Sequence, residues 1–328
     1  MEISIIGAGS FSTAIAYLLS TNYDVLMYAR DPRDVKSINE NHKNRKYLKE
    51  FNLPENIRAT ENIKDLFKNR LIVNGIPTQN IRSVLKDINE CVTNKNVFIN
   101  LSKGLELETY KRISEIFYEE LGDDISFVAL SGPSHAEEVI KEMPTAVVAA
   151  SRDLELAKEI QQVFNSDRFR VYTSSDLIGV ELGGAIKNTL AFGIGMLDGL
   201  GFGDNTKAAV ITRGINEMNR LLVKYNAIPN TINGLAGVGD LIVTSTSLNS
   251  RNYRTGLMIG QGYSMDQAIK EIKMVVEGIP TTKALYNLAI DNKIDLPITR
   301  EIYRVLYENK DPIDSVSVLM GRELKSEF

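Results

Sequence analysis

The sequence has little that would support a disulfide framework, a metal centre or a membrane segment. It contains one cysteine, Cys91, so no intramolecular disulfide can form, which is typical of a reducing compartment. Its two histidines, His42 and His135, are not part of a cluster with the spacing of metal ligands, so we expect no bound metal. No apolar run reaches the ~18 residues that a membrane span needs. The opening residues lack a basic region, and we expect no secretory signal there.

A strong charge of either sign is also missing. The formal net charge is −4 and 24% of the residues are charged, so nothing attracts the whole surface to nucleic acid or to an anionic membrane. An anion site would therefore have to be a local concentration of positive groups. With 328 residues and 43% hydrophobic content, the chain is long enough for two domains, each with its own core.

The chain opens on a predicted strand that runs into a glycine turn. The strand covers residues 2–6, and the turn GAGSFS follows it before a helical pattern at 14–19. This order predicts a dinucleotide-binding fingerprint, in which Gly7 permits a tight turn and Gly9 lets the backbone approach a pyrophosphate at the helix N-terminus. Ser12 stands where the pattern has its third glycine, and it adds a side chain where helix and strand pack closely.

The predicted second strand, residues 24–29, ends at Arg30 and Asp31. In this fold an acidic residue near this position binds the ribose hydroxyls of NAD, whereas an arginine accommodates the 2′-phosphate of NADP. Because Arg30 comes first, we predict that NADP(H) is preferred, with NAD(H) as the alternative cofactor that Asp31 favours. The alternative interpretation of Arg30 is a solvated loop residue.

Strands and helices alternate up to about residue 175, which predicts a doubly wound α/β domain of the Rossmann type. Ligands bind at the carboxyl ends of the strands in such sheets. Lys103 follows the end of one predicted strand, and the turn Ser131-Gly132-Pro133-Ser134-His135 follows another. Both are therefore candidates for contact with a ligand. The further strands are predicted at residues 70–75, 96–101, 127–130, 145–150 and 169–172.

From residue 176 onward the pattern is helical, and no strand is predicted. We therefore predict an NAD(P)-binding Rossmann-type domain over residues 1–178 and an all-helical substrate-binding domain over residues 179–328. Gly183 and Gly184 precede Lys187 by one helical turn on the same face, where a bare backbone leaves room for a neighbouring chain or a small molecule. Gly193 and Gly195 indicate close approach further along this helix. The alternative for Lys187 is a surface lysine with its stem on apolar neighbours.

The polar residues at these turns form one chemical set, consisting of Lys103, Lys187, Asp240, Ser250, Arg251 and Asn252. Such a set suits reduction of a carbonyl on a small phosphorylated molecule. A buried Lys187 with a lowered pKa can donate a proton, a second lysine can stabilise the developing alkoxide, and Asp240 can orient Lys187. His135 is the alternative acid, because histidine titrates near neutrality.

The sequence resembles the bacterial-type NAD(P)-dependent glycerol-3-phosphate dehydrogenases over essentially its whole length. The matching segments, in order, are GAGS, NLSKGLE, SGPSHAEEV, GVELGGAIKN, DGLGFGDNTKAAVITRG, GLAGVGDL, SRNYRTG, VVEGIPT and MGREL. GAIKN, GDNTKAA and SRN together are highly specific. The sequence departs from the pattern at Ser12, at Phe11, where tryptophan is common, and at Ser245, where cysteine is common.

This resemblance implies the interconversion of dihydroxyacetone phosphate and sn-glycerol 3-phosphate, which supplies the backbone of phospholipids. It implies that Lys187 is the proton donor and acceptor. The cofactor positions it implies are Ser10, Phe11, Arg30, Lys103, Ala136, Arg251, Val275 and Glu277, beside Gly7 and Gly9 of the fingerprint. The substrate positions are Lys103, Gly132, Ser134, Lys187, Asp240, Ser250, Arg251 and Asn252.

Two other functions remain open on the sequence. One is a redox sensor that binds NAD(P) without turnover, and the other is a related β-hydroxyacid or sugar-phosphate dehydrogenase with the same order of domains. We also expect a cytoplasmic homodimer that acts on a small molecule, binds no nucleic acid and has no membrane span.

Overall fold

The N-terminal half of this computed structural model, which describes residues 1–324, 326 and 327, is built on one eight-stranded sheet. The strand order is β3-β2-β1-β4-β5-β6-β7-β8. Neighbouring strands are parallel, except that β6 and β7 are antiparallel. The strands are β1 (Glu2–Ile6), β2 (Asp24–Tyr28), β3 (Ile57–Thr60), β4 (Leu71–Asn74), β5 (Val97–Asn100), β6 (Ser126–Ser131), β7 (Thr145–Ala150) and β8 (Phe169–Ser174).

Helices cover both faces of this sheet, and alternate strand residues feed two separate cores. In β1, Ile3 and Ile5 pack in the core beneath the first helix, whereas Ile6 joins the core on the opposite face. The flanking helices are α1 (Ser10–Ser20), α2 (Pro32–Asn41), α3 (Ile81–Ile88), α4 (Ile113–Leu121), α5 (Ala136–Val139) and α6 (Leu154–Phe164). The predicted Rossmann-type α/β architecture is confirmed.

The second half of the described chain is helical, as predicted. Its helices are α7 (Leu177–Gly199), α8 (Asp204–Lys224), α9 (Asp240–Thr246), α10 (Arg251–Gly260), α11 (Met265–Ile272), α12 (Gly278–Asp291), α13 (Pro297–Glu308) and α14 (Pro312–Met320). Asp176 caps α7, because its side chain accepts the Gly179 N–H at 3.0 Å. The predicted division between residues 178 and 179 therefore falls inside the first turn of α7.

Helix α7 runs through the centre of the helical half, and almost all its residues are buried. By length and composition it could cross a membrane, but 94% of the residues in its most apolar window are buried within the protein. Among the described residues it is the one helix that passes this test, and its apolar character is that of a core helix.

The glycines of α7 mark close contacts, as the sequence predicts. A methyl group added at Gly195 would overlap the carbonyl of Tyr253 on α10, and one added at Gly256 would overlap the carbonyl of Phe192 on α7. The two helices therefore pack backbone against backbone. Gly183 lies against another backbone, since its added methyl would be 2.9 Å from the Ala236 carbonyl oxygen.

Candidate active site

Lys103 lies directly beyond the carboxyl end of β5. The loop that carries it is held by Asn100, whose Oδ1 accepts the side-chain amide of Asn74 at 2.8 Å and the Ser102 N–H at 3.2 Å. From this loop the Lys103 Nζ donates to the Gly132 carbonyl at 2.9 Å and to Asp240 Oδ2 at 2.6 Å. The sheet therefore presents one ammonium group to the helical half.

Lys187 presents a second ammonium group from the middle of α7. Its side chain is only 8% exposed. The Nζ donates to Asp240 Oδ1 at 2.9 Å and to Thr244 Oγ1 at 2.8 Å. Gly184 separates this stretch of α7 from the Lys103 stem, since a methyl group added there would lie 3.5 Å from Lys103 Cγ. Lys187 is thus a buried, partnered group and not the surface lysine of the alternative interpretation.

Asp240, the first residue of α9, bridges the two lysines with its two carboxylate oxygens. Burial alone raises the pKa of Asp240, but the charges and hydrogen bonds of Lys103 and Lys187 outweigh it and hold the pKa below its usual value. Burial lowers the pKa of Lys187 to about 8; Asp240 opposes this shift and the charge of Lys103 adds to it. Lys187 can therefore hold or release a proton near neutral pH.

A chain of amides fixes the distance between this centre and α10. The Asn188 side chain donates to the Lys103 carbonyl at 3.1 Å, and the Asn252 side chain donates to Asn188 Oδ1 at 2.9 Å. Asn252 Oδ1 in turn accepts the Gly278 N–H at 2.9 Å. Asn252 therefore joins α10 to both α7 and α12.

Arg251 begins α10 beside this chain. Ser250 caps the helix, because its Oγ accepts the Tyr253 N–H at 3.2 Å. The Arg251 guanidinium makes no side-chain hydrogen bond or ion pair with any described residue. Burial lowers its pKa, while the charges of Glu277 and Glu137 oppose that shift. A half-buried cation without a partner is suited to receive an anionic ligand group.

The glycine turn has the form that a dinucleotide pyrophosphate requires. Gly7 has φ +106, in the region that favours glycine. Gly9 is the N-cap of α1, and a methyl group added there would meet nothing within 4 Å. The backbone is thus open beside the first-turn N–H groups of Ser10 and Phe11, which have no partners within the helix. The residues of this turn therefore fit the pyrophosphate of the dinucleotide cofactor that the fold implies.

The serine in place of the third glycine is accommodated by a glycine opposite it. A methyl group added at Gly75, just beyond β4, would overlap the Ser12 hydroxyl. The close packing between the turn and the sheet is therefore preserved, because the small residue stands just after β4 and not on α1.

Asp31 is not available to ribose hydroxyls. Its side chain caps α2 through the Arg33 N–H at 3.0 Å. It also forms ion pairs with Arg33 at 2.9 Å, Arg45 at 2.8 Å and Lys46 at 3.3 Å. Arg30, in contrast, is exposed and has no side-chain partner among the described residues.

Glu277 is the N-cap residue of α12 and connects the helical half to the loop that follows β4. Its Oε1 accepts the Thr78 N–H at 2.9 Å, and its Oε2 is buried without a hydrogen-bond partner among the described residues. Burial raises the pKa of Glu277, and the hydrogen bond from the Thr78 N–H and the charge of Arg251 oppose that shift. Val275, two residues earlier, is 47% exposed.

The turn after β6 supports the site through its backbone. Gly132 has φ +141, and its carbonyl accepts both from Lys103 and, at 3.0 Å, from the Ser134 hydroxyl. His135 Nε2 lies 3.3 Å from the Val243 carbonyl of α9. Burial lowers the pKa of His135, and the charge of Lys187 lowers it further. His135 therefore faces α9, and the turn delivers Ala136 to the start of α5.

The structure thus joins Lys103, Gly132, Lys187 and Asp240 by direct contacts and links Asn252 to them through Asn188. Two contributors were missed by sequence reasoning. Thr244 follows Asp240 by four residues, so helical spacing could have placed it on the same face as Asp240. No spacing in the sequence indicates a role for Asn188, although it is next to Lys187.

Two family models match the chain. The one described as the N-terminus of NAD-dependent glycerol-3-phosphate dehydrogenase matches residues 2–157, and the one described as its C-terminus matches residues 176–317.

The chain belongs to this family.

Members of the family with similar sequences match it from end to end. A glycerol-3-phosphate dehydrogenase (NAD(P)+) of Staphylococcus haemolyticus is 46% identical over 330 residues, which covers 99% of this chain and 99% of the relative. One from Macrococcus caseolyticus is 47% identical over 332 residues, with 100% of both chains covered.

A solved structure of the family has the same fold throughout. Glycerol-3-phosphate dehydrogenase from Coxiella burnetii aligns with a TM-score of 0.94 at 35% identity, covering 98% of this chain and 99% of that one. The chain is therefore an NAD(P)-dependent oxidoreductase of this family, as the resemblance predicts.

Proposed function

We propose that the chain interconverts dihydroxyacetone phosphate and sn-glycerol 3-phosphate, with Lys187 as the proton donor and acceptor. The observation that carries this proposal is the carboxylate of Asp240, whose two oxygens accept hydrogen bonds from the ammonium groups of Lys103 and Lys187. The bound nicotinamide supplies or accepts the hydride.

Lys187 provides the proton that the ketone oxygen needs as it becomes a hydroxyl group. Burial lowers its pKa to about 8, so near neutral pH the group is charged yet gives up its proton readily. Lys103 adds a second positive charge, which stabilises negative charge developing on the same oxygen. Asp240 keeps both Nζ atoms in place, and Thr244 fixes Lys187 from a second direction.

The phosphate end of the substrate requires a separate cation. Arg251 supplies it, because its guanidinium has no competing carboxylate within ion-pair distance among the described residues and can direct two N–H groups at phosphate oxygens. Asn252, one residue on, contributes by fixing α10 against α7. Ser250, Gly132 and Ser134 complete the proposed substrate site, with Ser250 capping the helix that carries Arg251.

The proposed cofactor site extends from the glycine turn to α12. It consists of Gly7, Gly9, Ser10, Phe11, Arg30, Lys103, Ala136, Arg251, Val275 and Glu277. We propose a preference for NADP(H) over NAD(H), since Arg30 is free to meet a 2′-phosphate while Asp31 is held in ion pairs.

Three expectations from the sequence belong to the same proposal. The chain is divided at residues 178 and 179 into a cofactor domain and a substrate domain. It acts as a homodimer in the cytoplasm. Its reaction runs toward sn-glycerol 3-phosphate and supplies glycerophospholipid synthesis.

The deciding experiment is oxidation of NADPH with dihydroxyacetone phosphate by the wild type, Lys187→Met and Lys158→Met. Lys158 is an exposed lysine paired with Glu155 on α6, so its variant controls for loss of a lysine charge. We expect Lys187→Met to lose at least ~100-fold in kcat, because general acid catalysis contributes that much, while Lys158→Met stays at the wild-type rate. Binding of NADPH without turnover in the wild type would favour a sensor instead.

A further inference from the structure

A cluster of cationic side chains, more numerous than the carboxylates among them, lies at the carboxyl end of β2. Four cationic residues lie there, Arg30, Arg33, Arg45 and Lys46, against two carboxylates, Asp31 and Asp34. Four positive charges less two negative ones leave two in excess. The excess lies where the fold places the ribose that carries the 2′-substituent.

Asp31 is enclosed by these cations. Its Oδ1 accepts the Arg33 Nε at 3.0 Å, and its Oδ2 accepts the Arg33 Nη2 at 2.9 Å and the Arg45 Nη2 at 2.8 Å. The Arg33 side chain is 77% exposed, whereas that of Arg45 is 35% exposed. Arg33 makes the larger number of contacts with Asp31, whereas Arg45 is less screened by water and also pairs through its Nε with Asp34 Oδ1 at 2.6 Å.

Arg45 reaches Asp31 because its loop is anchored to the glycine turn. Asn44 is buried, and its Nδ2 donates to the Ala8 carbonyl and to Thr13 Oγ1, both at 2.9 Å. Its Oδ1 accepts the backbone N–H of Lys46 at 3.1 Å and of Tyr47 at 3.0 Å. Arg45, which follows Asn44 in this loop, is therefore held close to the glycine turn.

We propose that Arg45 determines cofactor specificity by acting on Asp31. A free carboxylate after β2 would bind the ribose hydroxyls of NAD(H) and repel a 2′-phosphate. Arg45, together with Arg33 and Lys46, keeps this carboxylate paired, so the position favours the phosphorylated cofactor. Arg45 is thus a positioning residue, and Arg30 remains the direct contact. The inference rests on the proposed preference for NADP(H).

The test compares kcat/KM for NADPH and for NADH, at saturating dihydroxyacetone phosphate, in Arg45→Met, in Arg45→Met combined with Asp31→Asn, and in Arg45→Lys. Asparagine caps a helix as well as aspartate, so Asp31→Asn keeps the start of α2. Arg58→Met is the matched control, because Arg58 is a partly exposed arginine that pairs with a single carboxylate, Glu2.

We expect Arg45→Met to lower the NADPH/NADH ratio of kcat/KM on the order of tenfold, since it removes the least exposed of the three cations that neutralise the carboxylate beside the 2′-position. Adding Asp31→Asn should return the ratio close to that of the wild type, and Arg45→Lys should retain most of it. Arg58→Met should leave the ratio unchanged.

An unchanged ratio in Arg45→Met would overturn the inference. So would a fall that Asp31→Asn does not relieve, because Arg45 would then contact the cofactor itself. Recovery in the double variant also excludes misfolding as the cause of the fall. A wild type that prefers NADH would contradict the proposed cofactor preference separately, since the inference concerns only the change in the ratio.

Discussion

Lys103 and Lys187 come from different halves of the molecule, and their ammonium groups donate to the two oxygens of one carboxylate. The sheet contributes the first lysine and the central helix contributes the second. The carboxylate offsets part of the repulsion between them, while burial keeps the second one easy to deprotonate.

The two directions of the reaction should have opposite pH dependence. Reduction needs protonated Lys187, so kcat should fall as pH rises through about 8; oxidation needs the neutral amine, so kcat should rise over the same range. The measurement is kcat in each direction between about pH 6 and pH 10. Equal profiles in both directions would remove Lys187 from the proton step.

Arg251→Ala should damage only reactions of phosphorylated substrates. We expect kcat/KM for dihydroxyacetone phosphate to fall on the order of 100-fold, because remote binding of the phosphate orients the carbonyl. The low rate with dihydroxyacetone should hardly change. Arg251→Lys should recover little, since an ammonium group cannot direct two N–H groups at once. Equal losses with both substrates would mean that Arg251 acts through the cofactor or the fold.

Gly256→Ala should destabilise the protein through backbone overlap between α10 and α7. We expect the free energy of unfolding in urea to fall by ~1–3 kcal/mol or more, as for other overpacked sites. Gly203→Ala is the control, because a methyl group at this N-cap of α8 meets nothing within 4 Å. It should cost less than ~1 kcal/mol. Similar losses in both variants would contradict the packing argument.

Gly75→Ala and Ser12→Gly should be strongly coupled. The first alone should lower the free energy of unfolding by ~1–3 kcal/mol, because its methyl group overlaps the Ser12 hydroxyl. Combined with Ser12→Gly, which removes that hydroxyl, most of this loss should disappear. A double-mutant cycle on unfolding measures the coupling, and additive losses would show that the two positions do not share space.

Much of the fold could be predicted because the spacing of apolar residues in its strands and helices is visible in the sequence. Buried runs such as Leu71–Asn74 alternate with helical patterns, and this order specifies a mostly parallel sheet. Strand direction has no such signal, so the antiparallel pairing of β6 and β7 could not be predicted. The short β3 was missed because Ile57–Thr60 has only four residues, two of them polar.

The candidate site was predictable as a set of residues, but its connections were not. Lys103, Lys187 and Asp240 each stand at a glycine-rich turn, which is visible in the sequence. The contacts among these three side chains depend on how α7 and α9 pack against the end of β5. The pairing of Asp31 could likewise not be predicted in full, because one of its partners, Arg45, comes from a loop 14 residues later.

The glycine contact between α7 and α10 has a consequence for which molecules the site can accept. Lys187 lies on the first of these helices and Arg251 on the second, and the two backbones touch without intervening side chains in the turns that follow these residues. In the proposed site, Lys187 meets the carbonyl and Arg251 meets the phosphate, so the direct packing of α7 against α10 fixes the spacing between these two groups. We therefore expect a phosphorylated ketone one carbon longer to be a poorer substrate, because helices packed backbone to backbone have no side-chain layer to compress.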